Sequence, residues 1–303
     1  MFDSDFEKGR YHPLVLPEYN VPLTIDGLRE IFSSCSDFEV REIAFGLEKN
    51  VRLNVCCLDG IVSGGEVSSS VLRPLTQSAR AGNARDEAQA LAAVLCGAVY
   101  SCSVKQCTAM DETVSALTHG HCAVIFDTLQ TALCFEVRSE NTRAISEPTL
   151  EKALKGAKDS FVETLRTNTA LVRRRICTPK LKLIESTVGR KSGTRVAVMF
   201  IDGVAAPETV KELAARLDAL DIDALLGVGI LEEGIVDAPS SPFPQLIHTE
   251  RPDRFSMYLM DGRVGLLVDG IPVGLVLPVT FAEFMKVTGD ANLHYLVSSV
   301  TAA

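Results

Sequence analysis

Four short stretches carry residue types that could do chemistry. His119, His121 and Cys122 form the cluster with metal-ligand character, because alternate residues on a strand share a face and two imidazoles could converge on one ion. No third ligand stands nearby, and a histidine pair flanking a turn at Gly120 is the competing structural account. His248, Glu250 and Asp253 could form an acid and base set, but no nucleophile accompanies them. VGRKSG at 188–193 resembles a phosphate loop in composition only: an arginine separates Gly189 from Lys191, and no glycine stands where GxxxxGK[ST] needs one. The fourth stretch is TERPDR, in which Thr249, Glu250, Arg251, Pro252, Asp253 and Arg254 run directly into an apolar helix and hairpin. No GxGxxG, GxSxG or HExxH motif is present. The expectation is therefore a chain that is not an enzyme, with no catalytic residue, no metal and no cofactor.

The elements around TERPDR explain part of its composition. Asp253 suits an N-cap, Pro252 sits where a missing N–H costs nothing, and Phe255 and Leu259 share one helical face. The helix stops at Asp261-Gly262, after which VGLLV and PVGLVL flank Asp269-Gly270, a two-residue signal for a tight hairpin. The corner is then an architectural piece that faces something charged.

Elsewhere helical and strand patterns alternate. Thr24 can cap a helix through Leu28 and Ile31, VRLNVCCLDG reads as a strand ending in an Asp59-Gly60 turn, and helices are expected over 66–75, 87–95 and 111–117. Residues 99–104 read as strand, and HCAVIFD pairs with TALCFEV across residues 128–130. The apolar pattern breaks near Ser146-Glu147-Pro148, after which Ser160 and Glu163 form a capping box for an amphipathic helix over 161–176, closed by Pro179. LKLIEST and RVAVMFI make a further hairpin, and Pro207 opens a helix through Val210, Leu213 and Leu217. No fixed-period internal repeat is evident. The expected architecture is α/β: two subdomains, each a small mixed sheet packed with helices, joined by an amphipathic linker helix. The division is an N-terminal arm over 1–20, a first subdomain over 21–150, a basic segment and linker helix over 151–176, and a second subdomain over 177–303 that carries TERPDR and the Asp-Gly hairpin.

Composition narrows the class. The chain has 303 residues, 47% of them hydrophobic, so it can bury real cores. A net charge of -9, 6% aromatic residues and no tryptophan argue against nucleic acid as partner. Residues 151–195 hold 12 Lys/Arg against 4 Asp/Glu, whereas 201–262 hold 4 against 12. Solvated surface with Arg173, Arg174 and Arg175 at a helix C-terminus accounts for the first block, and a basic belt facing anionic lipid or an acidic neighbour is the alternative. Nine cysteines without a CxxC pair fit unpaired thiols in a reducing compartment. The uncharged run 88–104 is too short and too polar for a membrane span and reads as helix, turn and strand.

The helix FVETLRTNTALVRRRICTPKL resembles the pattern GFxExxxxNxxLxRxRIxxPxL of GerA-type spore germinant receptor A subunits. HTERPDRFSMYLMDGRVGLLVDGIPVGLVLP is similar to the same family's TERPDxxxxxLxxGRxxxLVDGxPxxLxxP, and the resemblance extends to the paralogous stage V sporulation protein AF. It runs over roughly residues 22–290, more specific in the second half. The matching positions are Glu163, Asn168, Arg173, Arg175, Pro179, Thr249, Glu250, Arg251, Pro252, Asp253, Arg254, Gly262, Arg263, Asp269, Gly270 and Pro272. The resemblance implies a non-enzymatic cytosolic region at the spore inner membrane, whose membrane helices lie beyond Ala303, and which works with B and C subunits in nutrient sensing or its coupling to ion release. It also leaves room for a homo-oligomer. Asn168, Arg173, Arg175, Thr249, Glu250, Arg251, Asp253, Arg254 and Arg263 are then interface or coupling candidates, with Pro252, Asp269, Gly270 and Pro272 structural. The acidic TERPDR corner is expected to meet Arg173 and Arg175. Two other readings stand beside this one: a stand-alone α/β clamshell binding a small metabolite, and a hydrolase using His248 and Glu250.

Overall fold

The computed structural model describes residues 19–45, 51–77, 84–99, 103–137, 159–225, 227–238 and 245–279. Most of the expected N-terminal arm, the expected boundary at 146–148, the lysines of 152–158, Cys102 and the chain after 279 lie outside them.

Helix α1 (Ile25–Ile31) begins where Thr24, in extended conformation, accepts from the Gly27 N–H. Strands β1 (Phe38–Phe45) and β2 (Val51–Leu58) pair antiparallel, with Phe38 opposite Leu58. A helical run follows, α2 (Gly64–Glu66), a π-helical stretch (Val67–Leu72) and α3 (Arg73–Gln77). Then α4 (Glu87–Ala93) passes into a second π-helical stretch (Val94–Ala98). There Gly97 at φ 95° turns the chain toward β3 (Val104–Cys107), so the strand lies later than residues 99–104 suggested. Helix α5 (Met110–Thr118) leads to the hairpin of β4 (His121–Phe126) and β5 (Thr131–Glu136). Together these strands make one five-stranded sheet in the order β1-β2-β4-β5-β3.

The second sheet repeats this plan. Helix α6 (Leu165–Arg175) is followed by β6 (Leu181–Val188), β7 (Thr194–Ile201), α7 (Pro207–Ala219), α8 (Val228–Ile235), β8 (Ile247–Thr249), α9 (Pro252–Met260), β9 (Val264–Val268) and β10 (Gly274–Leu277). Its order, β6-β7-β9-β10-β8, is that of the first sheet. Both are antiparallel throughout, which corrects the mixed sheets expected from sequence. The strand starts Phe38 and Val51 recur 143 residues later as Leu181 and Thr194, and the hairpin pair of Val124 opposite Leu133 recurs 142 residues later as Leu266 opposite Leu275. The chain therefore does contain an internal duplication. Its sequence trace is sparse: Asp59-Gly60 recurs as Asp202-Gly203, with φ 91° and 77° at the glycines, and Leu117 with Gly120 recurs as Leu259 with Gly262, where φ is 86° and 89°.

Each sheet buries both faces. Cys56, Leu58, Ala123, Ile125 and Cys134 pack under α1 and α5, while Leu53, Val55, Val124, Phe126 and Phe135 face the α3 and α4 side. In the second half, Leu181, Leu183, Met199 and Leu267 pack with α6 and α9, and Val196, Val198, Leu266 and Leu275 with α7 and α8. The helix expected as a linker belongs to this second core through Leu165, Leu171 and Val172, while Ala170 on its other face joins the first. Among the described residues, no helix is long and apolar enough to cross a membrane.

Candidate functional site

The chain after α1 turns at Ser34, φ 59°, and runs beside the outer edge of β6. The Ser36 N–H donates to the Leu183 carbonyl at 2.8 Å, and the Leu183 N–H donates back to Ser34 at 3.1 Å. The Ser36 hydroxyl accepts from the Glu185 N–H at 3.1 Å, and Lys182 Nζ donates to the Ile31 carbonyl at 3.1 Å. A piece of the first half thus pairs with backbone groups at an edge of the second sheet that would otherwise be open to other chains.

At this seam lies the most deeply buried ion pair among the described residues. Arg173, in the last turn of α6, forks onto Asp37, just before β1: Nε donates to Oδ2 at 2.9 Å and Nη2 to Oδ1 at 2.8 Å. The side chains are 1% and 2% exposed. Nη1 adds bonds to the carbonyls of Leu181 at 2.7 Å and Thr178 at 3.3 Å. Burial works against the guanidinium charge, but the Asp37 carboxylate and its hydrogen bonds outweigh it, and the pKa is raised. Arg173 is therefore a fixed cation. Beside it, burial raises the Cys35 thiol despite the opposing pull of Arg173.

A second ionic link lies one step along. The Asp59 N–H donates to the Asp37 carbonyl at 2.8 Å, and the Asp59 carboxylate takes Arg166 Nε at 2.9 Å. Arg166 Nη1 also meets Glu185 at 2.8 Å. Gly60 lets the helix come this close, since a Cβ there would stand 3.2 Å from the Arg166 carbonyl and 3.3 Å from the Ala170 Cβ.

Asp269 explains the other end of α6. Its Oδ1 accepts from the Leu165 N–H at 2.9 Å, while the Gly270 N–H donates to the Glu163 carbonyl at 2.7 Å. The residue before α6 is Thr164, which makes no side-chain cap, so the expected Ser160 and Glu163 box is replaced by a carboxylate from a distant strand end. In the first half Asp127, just after β4, accepts from the Ile25 N–H at 2.7 Å in the same way. Asp269-Gly270 opens a five-residue connection from Val268 to Gly274, rather than the expected two-residue turn, with Gly270 at φ 85° and Pro272 exposed. Asn168 is fully buried and holds the chain before α6, its side-chain oxygen accepting from the Val162 N–H at 2.8 Å.

The TERPDR corner is built around Arg251. The Thr249 hydroxyl accepts from the Arg251 N–H at 3.1 Å, and the Arg251 side chain forks onto Asp253 at 3.0 and 2.6 Å. Arg251 is the N-cap residue and Pro252 the first helical residue, so Asp253 clamps a buried arginine instead of capping. The corner touches the segment before α6 through the Glu250 carbonyl, which accepts from the Phe161 N–H at 2.8 Å, and through Phe161 edge-on to Phe255. Phe255 rests on two glycines: a Cβ at Gly265 would lie 2.2 Å from its ring, and one at Gly274 2.7 Å. Arg254 and Arg263 lie 5.9 and 4.9 Å from the Tyr258 ring centre.

Arg173 and Arg175 each take a carboxylate other than that of Asp253. Arg173 holds Asp37, Arg175 holds Asp159 at 2.7 Å, and the carboxylate of Asp253 is committed to Arg251. His248 meets Glu232 on α8, away from the proposed acid and base set. His119 and His121 lie against the carbonyls of Ser115 and Ala116. The sequence marks Asp59 only as a turn residue and gives no sign of Asp37 or Arg166, since Asp37 stands 136 residues from its partner.

The described residues thus define a duplicated α/β fold of two five-stranded antiparallel sheets, joined at a seam by the Arg173 and Asp37 pair. The chain belongs to the Bacillus/Clostridium GerA spore germination protein family, whose pattern matches residues 26–302. It is 34% identical over 278 residues to spore germination protein B1 of Bacillus subtilis, covering 91% of this chain and 56% of that one. It is 29% identical over 251 residues to stage V sporulation protein AF of the same organism, covering 82% and 50%. Its fold is similar to the crystal structure of the N-terminal domain of the A subunit of the Bacillus megaterium spore germinant receptor GerK3, with a TM-score of 0.67 and 27% identity over 88% of this chain and 98% of that one. The chain spans about half the length of the curated relatives it matches.

Proposed function

We propose that this chain forms the N-terminal portion of a germinant receptor A subunit and acts without catalysis, passing a nutrient-dependent movement toward ion release. Its place is the cytosolic face of the spore inner membrane, and its partners are the membrane part of the same subunit and the receptor's B and C subunits. The observation that supports the reading is the buried Arg173 and Asp37 fork. With the Ser36 and Leu183 backbone bonds beside it, the fork lets the two halves respond as one body. A buried, packed contact of this kind can carry a displacement that a loose surface contact would absorb.

The test replaces Arg173 by Met and Asp37 by Asn, singly and together, in the full-length subunit in spores. Nutrient-triggered release of ions should fall in the single variants while immunoblots show the subunit still present. Normal germination in all three would overturn the coupling role. The clamshell alternative makes a different prediction, a melting temperature of the purified chain that rises with the logarithm of the nutrient excess.

A further inference from the structure

Eight cysteines lie among the described residues, none of them in a disulfide, and four of them fall into two neighbouring pairs. Strands β2 and β4 pair with Asn54 opposite Ile125, Val55 opposite Val124 and Cys56 opposite Ala123. One further step of that register sets Cys57 opposite Cys122, and both side chains face the same core of the first half. Cys57 is partly exposed whereas Cys122 is fully buried, so a small reagent reaches one member and meets the other behind it. The second pair, Cys107 and Cys134, is out of register, Cys107 facing Ala132 and Cys134 facing Lys105, and both thiols are buried.

We propose that Cys57 and Cys122 form an oxidisable dithiol, closed to a reversible disulfide by a peroxide. The Cys57 thiolate attacks one peroxide oxygen, the O–O bond breaks, and hydroxide leaves and takes up a proton as water. The resulting sulfenic acid is attacked by the Cys122 sulfur, the S–S bond forms, and the hydroxyl leaves with the Cys122 proton as a second water. Two thiols are oxidised and one peroxide is reduced to two waters. The hydrogen bond from Cys122 lowers the Cys57 pKa against burial and the charges of Glu39 and Asp59, which favours Cys57 as the attacking thiolate.

Opposed strand residues hold their Cβ atoms about 4.5–5.5 Å apart, and a disulfide needs about 3.5–4.5 Å. Closing the bond draws β2 toward β4 and leaves it strained, hence easily reduced. Cys57 also stands two residues before Asp59, which holds Arg166 at the seam between the halves, so the modification acts on the strand that feeds the joint.

The test is to treat the reduced, purified chain with hydrogen peroxide, block the remaining thiols, and map the peptides without reductant. A peptide linked through Cys57 and Cys122, reversed by dithiothreitol and absent in both Cys57→Ser and Cys122→Ala, is the expected result. It should persist in Cys96→Ser. Oxidation confined to Cys96 and Cys177, or a link between Cys107 and Cys134 in place of the expected one, would overturn the proposal. Mapping of the unsubstituted chain decides the matter even if a variant fails to fold.

Discussion

Removing Asp37 is the sharpest perturbation the joint offers. The change to alanine leaves the Arg173 guanidinium 1% exposed, with its Nε and Nη2 donors stripped of their acceptors and only the Nη1 bonds to Leu181 and Thr178 in place. Breaking a buried pair by deleting one partner costs about 3–5 kcal/mol. For each kcal/mol, a unit of 150–250 residues loses about 2–4 °C of melting temperature, so a fall of about 6–20 °C is expected. Arg173→Ala should cost a similar amount, because Asp37 is then the stranded charge. Both changes together should cost less than their sum by about 0.5–3 kcal/mol, since neither charge is left alone. The internal control is Arg52 with Glu42, a pair of comparable distance, 2.8 Å, whose side chains are 79% and 53% exposed. Loss of either partner there should cost no more than about 1 kcal/mol. Urea unfolding followed by circular dichroism, with thermal melts beside it, measures all five variants. If Asp37→Ala melts within the range of Glu42→Ala, or the double mutant is additive, the fork does not hold the halves together.

Three further outcomes follow from single contacts. Gly265→Ala places a Cβ 2.2 Å from the Phe255 ring and should destabilise by about 1–3 kcal/mol in denaturant titration, with Phe255→Leu restoring part of the loss in the same chain. Asp269→Ala and Asp127→Ala each strip a helix start of its acceptor and should cost about 0.5–2 kcal/mol apiece; a cost at one position only would show that the two capping sites are not equivalent. Asp253→Ala frees the buried Arg251 fork and should cost about 1.5–3 kcal/mol, more than the approximate 1 kcal/mol typical of a lost N-cap, and Asp253→Asn should recover little because an amide offers only one acceptor oxygen.

What could be read from sequence was local. Thr24, Pro207 and Pro252 mark helix starts by their own chemistry, and the alternation around VRLNVCCL and RVAVMFI marks strands. The N-terminus of α6 misled because Ser160 and Glu163 have capping-box spacing, yet the acceptor comes from Asp269, 104 residues away. Asp253 misled for the converse reason: it is a good capping type, but Arg251 claims it first. The duplication escaped because core positions demand apolar volume and not identity, so Cys56 and Met199, or Ile125 and Leu267, serve alike. The positions with a backbone or polar requirement that kept their residue include the positive-φ glycines at 60 and 203 and at 120 and 262, and the aspartates at 127 and 269. Glycine and aspartate are too common in turns for three such coincidences to announce a period.

A contact made by one repeat on the next has no built-in end, and units joined head to tail add without limit unless the last one is altered. Here the second half offers the surface equivalent to that of Asp59 and Gly60: Asp202 and Gly203 are exposed, a Cβ at Gly203 would meet nothing within 4 Å, and Val204 is 52% exposed. The groups that would seat another helix have been exchanged. Lys180 stands at the position of Asp37, 143 residues on, and Pro179 has no N–H where Ser36 donates to Leu183. On the matching helix, counted from the starts Ile25 and Leu165, Asp26 and Ser33 replace Arg166 and Arg173. Among the described residues, the ionic code that closes the joint between the two halves is therefore not repeated on the equivalent surface of the second half.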